Sequence, residues 1–291
     1  MTAQHVFTVT AGRSGQASLC DLLRRHVPGC YAAFEEPSIE PVLPGALGDF
    51  ERRFRRRFIE THELLGRGKV LTAFERGDEA YLDRIVAQRL AMIAKALMRN
   101  RASIYVDVSK YFARGLHGAF ARALPGLSLI RLVRDPLLNM RSFLNRNKSF
   151  RLDNSLPDAP GNIVRLDSAG MEKGELYLWA WCEMYLRFDR LVEEFKIERA
   201  VEIRTEHLAD PARMDAVFDA LGLPHTPVAA AAPLNTNAEH GYGRTRILQE
   251  DLDLFERFLK RLSADVRRRI AYFETYRPGQ PAAVATAGLR S

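Results

Sequence analysis

Short apolar runs alternate with longer amphipathic stretches along most of the chain. The apolar runs are bounded by glycine, proline or polar residues and are rich in β-branched side chains, which is typical of buried strands. They predict strands at Val6–Thr10, Cys30–Phe34, Ser103–Val108, Leu127–Val133 and Val201–Arg204.

The stretches between these runs repeat their apolar residues every three or four positions, which predicts helices. The two longest predicted helices are Glu79–Met98 and Glu172–Phe195. Shorter helices are predicted at Ala17–Arg25, Asp49–Leu65 with Asp49 as N-cap, Phe112–Ala123, Leu137–Phe143 and Pro211–Leu221. The polar segment Asn154–Asp167 contains two prolines and a glycine, and it is predicted to be a loop or a mobile lid.

Strands that alternate with helices predict a parallel sheet covered by helices on both faces. The predicted fold class is therefore α/β, a three-layer α/β/α sandwich with a central parallel sheet. We expect one domain over residues 1–277. Residues 278–291 are rich in proline, glycine and alanine and are predicted to be disordered.

Length and composition restrict the class of protein. The chain has 291 residues, of which 47% are hydrophobic and 27% charged, as in ordinary globular proteins. No apolar run approaches the ~18 residues of a membrane span, so no transmembrane segment is expected. The apolar segment near the N-terminus is too short for a signal peptide, so we expect a cytoplasmic protein. Cys20, Cys30 and Cys182 share no metal-ligand spacing, so reduced thiols and no metal site are predicted. The sequence does not indicate an oligomeric state.

The net charge of +7 and the pI of about 9.5 favour an anionic partner. The densest basic stretch is Arg52–Phe58, in which phenylalanines recur at four-residue spacing. This pattern predicts an amphipathic helix with a charged outer face, and a solvated face is favoured over a dedicated binding patch. No nucleic-acid-binding motif accompanies it, so nucleic acid is not expected as a partner.

A strand, a glycine-containing turn and a helix start follow one another over Val6–Leu19. Such a turn directs backbone N–H groups and the positive end of the helix at one point, where an anion binds well. Gly12 and Gly15 permit close backbone approach, and Arg13 adds a cation. A nucleoside triphosphatase turn has the pattern G-x-x-x-x-G-K-[ST], and this segment has neither that spacing nor its lysine. Taken alone, the segment is also compatible with a tight turn without a ligand.

A second motif changes this interpretation. Arg134 directly follows the predicted strand Leu127–Val133, and Ser142 lies in the next predicted helix. Together the two segments resemble the sulfotransferase family that uses 3'-phosphoadenosine 5'-phosphosulfate (PAPS). The resemblance implies a P-loop-like sulfotransferase fold, PAPS as the donor, adenosine 3',5'-diphosphate (PAP) as the product, and no metal. It implies that the 5'-phosphosulfate is held by Gly12, Arg13, Ser14, Gly15, Gln16, Ala17 and Ser18, and the 3'-phosphate by Arg134 and Ser142.

Further segments are similar to family motifs, in the same order. Phe34–Pro37 resembles the Glu-Pro element of carbohydrate sulfotransferases, and Asp107–Lys110 resembles the strand end that precedes the 3'-phosphate motif. The run from Glu206 to Leu223 is similar to a late family motif. The loop Asn235–Arg246 is similar to the glycine-rich loop over the 3'-phosphate, which implies Arg244 and Arg246 as donors, although a plain connecting loop is nearly as compatible.

The chain departs from the family at one point. Threonine or serine pairs usually follow the turn glycine, and here Gln16 and Ala17 stand in their place. Ser18 and the Gln16 amide offer replacement donors. The departure keeps open a weaker affinity for the donor and a binding module without catalysis.

Sulfuryl transfer resembles phosphoryl transfer, in which positioning and charge stabilisation dominate. The cations expected at the leaving group are Arg13 and Lys110, with a solvated lysine as the alternative for Lys110.

The resemblance implies Glu36 as the general base, with Glu35 as its competitor; His62 and His117 lie in no matching motif. The acceptor is expected to be a small molecule or glycan, with a carbohydrate or glycoconjugate hydroxyl favoured and a peptide tyrosine second. A nucleotide kinase is the remaining rival enzyme.

Overall fold

The computed structural model describes residues 3–35, 43–58, 63–146, 149–151, 153–229 and 246–276. Its sheet contains the strands β1 (Gln4–Val9), β2 (Cys30–Ala33), β3 (Ile104–Asp107), β4 (Ser128–Val133) and β5 (Ala200–Arg204). Their order in the sheet is β2-β3-β1-β4-β5, and every pairing is parallel. Each of the five predicted strands is therefore confirmed, within a few residues at its ends.

Helices cover both faces of this sheet, as the predicted sandwich requires. They are α1 (Gln16–His26), α2 (Gly45–Phe58), α3 (Lys69–Arg76), α4 (Glu79–Arg99), α5 (His117–Ala123), α6 (Pro136–Leu144), α7 (Lys173–Phe195), α8 (Pro211–Ala220), α9 (Gln249–Arg261), α10 (Ala264–Arg269) and α11 (Tyr272–Thr275). On one face, Phe7 of β1 joins a core built with α4, α5 and α7. On the other face, Val6 joins a core built with α1 and α8. Both side chains are fully buried because the sheet is covered on both sides.

Some predicted helices differ from those observed. The predicted helix Phe112–Ala123 is divided into a 3₁₀ turn, Phe112–Arg114, and α5, with Gly115 between them. A Cβ atom at Gly115 would lie 3.0 Å from Val70 Cγ1, because α3 packs closely there. The N-cap prediction for Asp49 is wrong, since α2 already begins at Gly45. Helices α3, α9, α10 and α11 were not predicted.

The segment Asn154–Asp167 is a loop, as predicted, and it is held against α7. The backbone N–H of Val164 donates to Glu183 Oε2 at 2.7 Å, and Arg187 Nη2 donates to Asn162 Oδ1 at 2.8 Å. Glu183 and Arg187 are buried and form an ion pair of 2.7 Å. These contacts fix the loop against α7.

The sequence also led to expectations about the cysteines, membrane spans, metal sites and the C-terminal tail. All three cysteines are free thiols, and Cys20 and Cys182 are buried. Among the described residues, no helix is long and apolar enough to span a membrane, and no group of histidine, cysteine and carboxylate side chains is arranged to hold a metal. The predicted disordered tail, 278–291, lies outside the described residues.

Candidate active site

The turn between β1 and α1 has an unusual backbone. Gly12, Arg13 and Gly15 all have positive φ angles, of 96°, 60° and 87°. A left-handed conformation is costly for arginine, and such strain is found where the surrounding structure enforces it, often at functional sites. Helix α1 starts directly after Gly15, and no side chain caps its N-terminus. The first turn of α1, which contains Gln16, Ala17 and Ser18, therefore presents N–H groups and positive dipole charge at this edge of the sheet.

Two buried side chains that are distant in the sequence brace this turn. Asn139 Nδ2 on α6 donates to Ser14 Oγ at 2.8 Å, and Tyr177 on α7 donates its hydroxyl proton to the Gly12 carbonyl at 2.9 Å. Ser14 is buried, and its hydroxyl also lies within hydrogen-bond distance of Thr10 and of the Gly12 carbonyl. The Ser14 hydroxyl thus fixes the shape of the turn. Sequence reasoning missed Asn139 and Tyr177, although a buried asparagine within a helix is a signal for such bracing.

The two motifs that suggested the function lie in contact. Arg13 Nε donates to Ser142 Oγ at 3.3 Å, and Arg134 Nη1 donates to the Arg13 carbonyl at 3.1 Å. Arg134 and Arg13 are 121 residues apart in the sequence. The Trp181 indole N–H donates to the Arg134 carbonyl at 2.9 Å and fixes the end of β4. Arg13, Arg134 and Ser142 therefore form one cluster at the ends of β1 and β4.

This cluster has a strongly positive electrostatic character. Burial lowers the pKa of Arg13 to about 10, and repulsion by Arg146 and Arg134 contributes to the lowering. Burial likewise lowers the pKa of Arg134. Within the described residues, Arg134 has no carboxylate at ion-pair distance. Because both guanidinium groups remain charged at neutral pH, a bound anion would relieve their desolvation and mutual repulsion.

Lys110 reaches the other side of the same turn from the end of β3. A Cβ atom at Gly12 would lie 3.1 Å from Lys110 Cδ, so glycine at that position makes room for the lysine stem. Lys110 Nζ forms an ion pair of 2.6 Å with Asp153 Oδ2. The lysine is therefore a buried, paired cation, and the alternative of a solvated lysine is wrong.

Asp153 is surrounded by cations. Besides Lys110, Arg67 Nε lies 2.8 Å from Asp153 Oδ1, and Arg114 Nη1 donates to the Asp153 backbone carbonyl. Burial alone would raise the pKa of Asp153, but the charges of Lys110, Arg114 and Arg67 outweigh it and lower the pKa to about 2. Arg114 Nη2 also donates to the Ala11 carbonyl at 2.9 Å, which ties this group to the turn. Asp153, Arg67 and Arg114 carry no motif signal, and sequence reasoning missed them.

The late segment that resembles a family motif packs under the turn. Thr205 Oγ1 donates to the Ser14 carbonyl at 3.0 Å and lies 3.1 Å from the Val133 carbonyl. A Cβ atom at Gly15 would lie 2.6 Å from Leu208 Cδ1. Gly15 is thus required both by its φ angle and by its contact with Leu208.

The remaining residues considered from the sequence have different outcomes. Glu36, His62 and Arg244 lie outside the described residues. Glu35 lies within the described residues and has a φ of 53°. Its charge affects the pKa of Lys110: burial lowers this pKa, while the charge of Asp153 and, less strongly, that of Glu35 raise it. Arg246 is exposed just before α9. His117 lies against Phe74, with ring centroids 5.4 Å apart, and burial lowers its pKa.

Comparisons with known proteins give a limited result. The sequence matches no protein-family model and no curated protein. Among solved structures it is similar to the sulfotransferase domain from the curacin biosynthetic pathway, with 15% identity, a TM-score of 0.49, and coverage of 94% of this chain and 98% of that one. It is also similar to the sulfotransferase domain of the Synechococcus PCC 7002 olefin synthase, with 15% identity, a TM-score of 0.47, and coverage of 89% and 95%. A sulfotransferase from Alicyclobacillus acidocaldarius has 17% identity, a TM-score of 0.42, and coverage of 92% and 100%. Similarity at this level carries no argument about activity, so the functional case depends on the residues of the site.

Proposed function

We propose that this protein is a PAPS-dependent sulfotransferase, which transfers a sulfuryl group to a hydroxyl or amine of an acceptor. The observation that carries the proposal is the contact between the two resembling motifs, in which Arg13 Nε lies 3.3 Å from Ser142 Oγ and Arg134 donates to the Arg13 carbonyl. A nucleotide with phosphate groups at both its 5' and 3' positions needs two anion sites on neighbouring strand ends. The ends of β1 and β4 offer such a pair.

The residues present fit such a donor. An uncapped helix N-terminus, two half-buried arginines and Gly12 with its close backbone approach form a typical phosphate cradle. The 5'-phosphosulfate would be held by the turn residues Gly12–Ser18. Arg134 and Ser142 would hold the 3'-phosphate, with Arg244 and Arg246 as further donors. The donor supplies the activated sulfuryl group, and no metal is proposed.

Charge stabilisation of the leaving group is assigned to Arg13 and Lys110. Arg13 turns its guanidinium toward Ser142, while Lys110 lies across Gly12. The two cations therefore flank the turn, and negative charge that develops above it meets a positive group on either side. Asp153 holds the Lys110 ammonium in place through the 2.6 Å ion pair.

The proton of the acceptor hydroxyl must pass to a base during attack. We assign this role to the pair Glu35 and Glu36, with Glu36 as the first choice because it precedes Pro37 as in the resembling carbohydrate enzymes. The charge of Glu35 is among the influences that raise the pKa of Lys110, against the dominant effect of burial, which supports a location of Glu35 beside the turn. The proposed acceptor is a carbohydrate or glycoconjugate hydroxyl.

Sulfate transfer from labelled PAPS tests the proposal. The wild type is incubated with panels of carbohydrates, tyrosine peptides and small phenols, and the sulfated product is identified by mass. Glu36→Gln should reduce transfer by about 10²–10⁴-fold and leave PAP binding intact. Glu35→Gln is the matched control, and loss of transfer in that variant alone would reassign the base. If PAP binds but no compound of any class becomes sulfated, the protein is a binding module and the proposal fails.

A further inference from the structure

Helix α2 exposes an apolar face. Leu47, Phe50 and Phe54 are 64%, 69% and 45% exposed. Their spacing of three and four residues puts them on one side of the helix. The rings of Phe50 and Phe54 stack with their centroids 6.4 Å apart, and Leu43, just before the helix, is 48% exposed. The amphipathic helix predicted from the sequence is present, but its apolar face is turned toward solvent.

This exposure is concentrated in one place. Among the described residues, four of the seven large apolar side chains with high exposure lie between Leu43 and Phe54. The others include Met98 on α4 and Leu248 before α9. Single exposed apolar residues are common and need no explanation, whereas a cluster rimmed by polar residues marks an interaction surface.

The charge of α2 indicates what covers this face. Its sequence contains five arginines and two acidic residues, which gives a net charge of +3 from 5 − 2: Arg52, Arg53, Arg55, Arg56 and Arg57 against Asp49 and Glu51. A second copy of the same helix would bring two strongly basic segments together, which is unfavourable. An anionic surface is favoured instead.

We propose that α2 docks the protein onto an anionic lipid bilayer. An apolar face with aromatic residues combined with an arginine-rich sequence is typical of helices that lie in the plane of the membrane interface. Leu47 and Phe50 enter the acyl boundary, and the net charge of +3 of the α2 sequence favours anionic headgroups. With 14 residues, α2 is about 21 Å long, which suits a helix that lies on a bilayer and does not cross it. The inference stands apart from the proposed function, because it depends on α2 alone.

Vesicle sedimentation of the full chain tests this inference. Two vesicle types are used, phosphatidylcholine alone and phosphatidylcholine mixed with phosphatidylglycerol. We expect binding to the mixed vesicles, weak binding to the neutral ones, and release at high salt. Leu47→Ser/Phe50→Ser should reduce binding at least about tenfold, because both apolar side chains leave the interface. Arg52→Gln/Arg56→Gln should reduce it about 25-fold, at about fivefold for each charge.

Met98→Ser is the matched control, since Met98 is 75% exposed on another helix, and it should bind vesicles like the wild type. Leu47→Ser/Phe50→Ser and Met98→Ser should keep the wild-type melting temperature, because these three side chains are exposed. Absence of wild-type binding to both vesicle types would overturn the inference, as would equal binding by Leu47→Ser/Phe50→Ser. A different result would be a wild-type protein that does not bind vesicles but forms a dimer in solution, with Leu47→Ser/Phe50→Ser monomeric. It would show that α2 contacts a second copy or a protein partner instead.

Discussion

Replacement of Asp153 by asparagine probes the charged group that supports Lys110. The Asp153 carboxylate is 12% exposed, it lies 2.6 Å from Lys110 Nζ and 2.8 Å from Arg67 Nε, and its backbone carbonyl accepts from Arg114. Asp153→Asn keeps the shape of the side chain and leaves these buried cations without their counter-charge. Loss of one partner of a buried ion pair typically destabilises a protein by about 3–5 kcal/mol.

The pH dependence provides an independent measure of the same interaction. The pKa of Asp153 falls from its ordinary 3.8 to about 2 in the folded state. A lowered folded-state pKa means that the ionised carboxylate contributes its stability above pH ~4 and loses it as the pH falls toward 2. The difference in pKa corresponds to about 2 kcal/mol in total, of which about 1 kcal/mol is lost between pH 7 and pH 3.

Urea unfolding measures both effects. The free energy of unfolding is determined for wild type and Asp153→Asn at pH 7 and at pH 3, with Asp158→Asn, an exposed aspartate of the same loop region, as the matched control. We expect Asp153→Asn to be at least about 3 kcal/mol less stable at pH 7, with a smaller difference at pH 3. A loss below about 1 kcal/mol, or one that does not change with pH, would refute the account of Asp153 as the counter-charge of this group.

Two further predictions concern the turn itself. Gly15→Ala should lower stability more than Gly126→Ala. Both glycines have φ near 90°, but their surroundings differ: a Cβ atom at Gly15 would lie 2.6 Å from Leu208 Cδ1, whereas Gly126 faces open space. Positive φ costs each variant about 1–3 kcal/mol of stability, so the difference in stability between the two variants, measured by thermal unfolding, reports the contact with Leu208. Equal losses of stability in the two variants would contradict the packing argument. Arg13→Ala should reduce kcat for sulfate transfer by about 10²-fold, with kcat/KM falling at least as far, because the leaving oxygen near Arg13 gains negative charge during transfer. A variant with normal kcat and a raised KM for PAPS would show that Arg13 serves in ground-state binding.

The strands and the two motifs around Arg13 and Arg134 were predictable because they depend on local patterns. A buried strand is recognised by its apolar run, and a turn such as Gly12–Gly15 by its glycines. Once the strands are parallel, their carboxyl ends share one edge, so the approach of Arg134 to Arg13 follows from topology.

The group around Asp153 was not predictable in the same way. Asp153, Arg67 and Arg114 come from separate loops and turns, and no spacing in the sequence relates them. Their contacts arise from tertiary packing, which also determines that α2 exposes Phe50. Periodicity identified α2 as amphipathic but could not show that the apolar side faces solvent, because period alone does not say what a face contacts.

The central claim is that this site recognises a nucleotide through its 3'-phosphate. The most direct measurement is calorimetric titration of wild type, Arg134→Ala and Ser142→Ala with PAP and with AMP, which lacks the 3'-phosphate; Arg190→Ala, an exposed arginine on α7, is the control. We predict that the wild type binds PAP more tightly than AMP, that Arg134→Ala loses about 1–3 kcal/mol of PAP binding, and that its AMP binding is unchanged. Equal affinity of the wild type for PAP and AMP, or equal loss for both ligands in Arg134→Ala, would contradict the account.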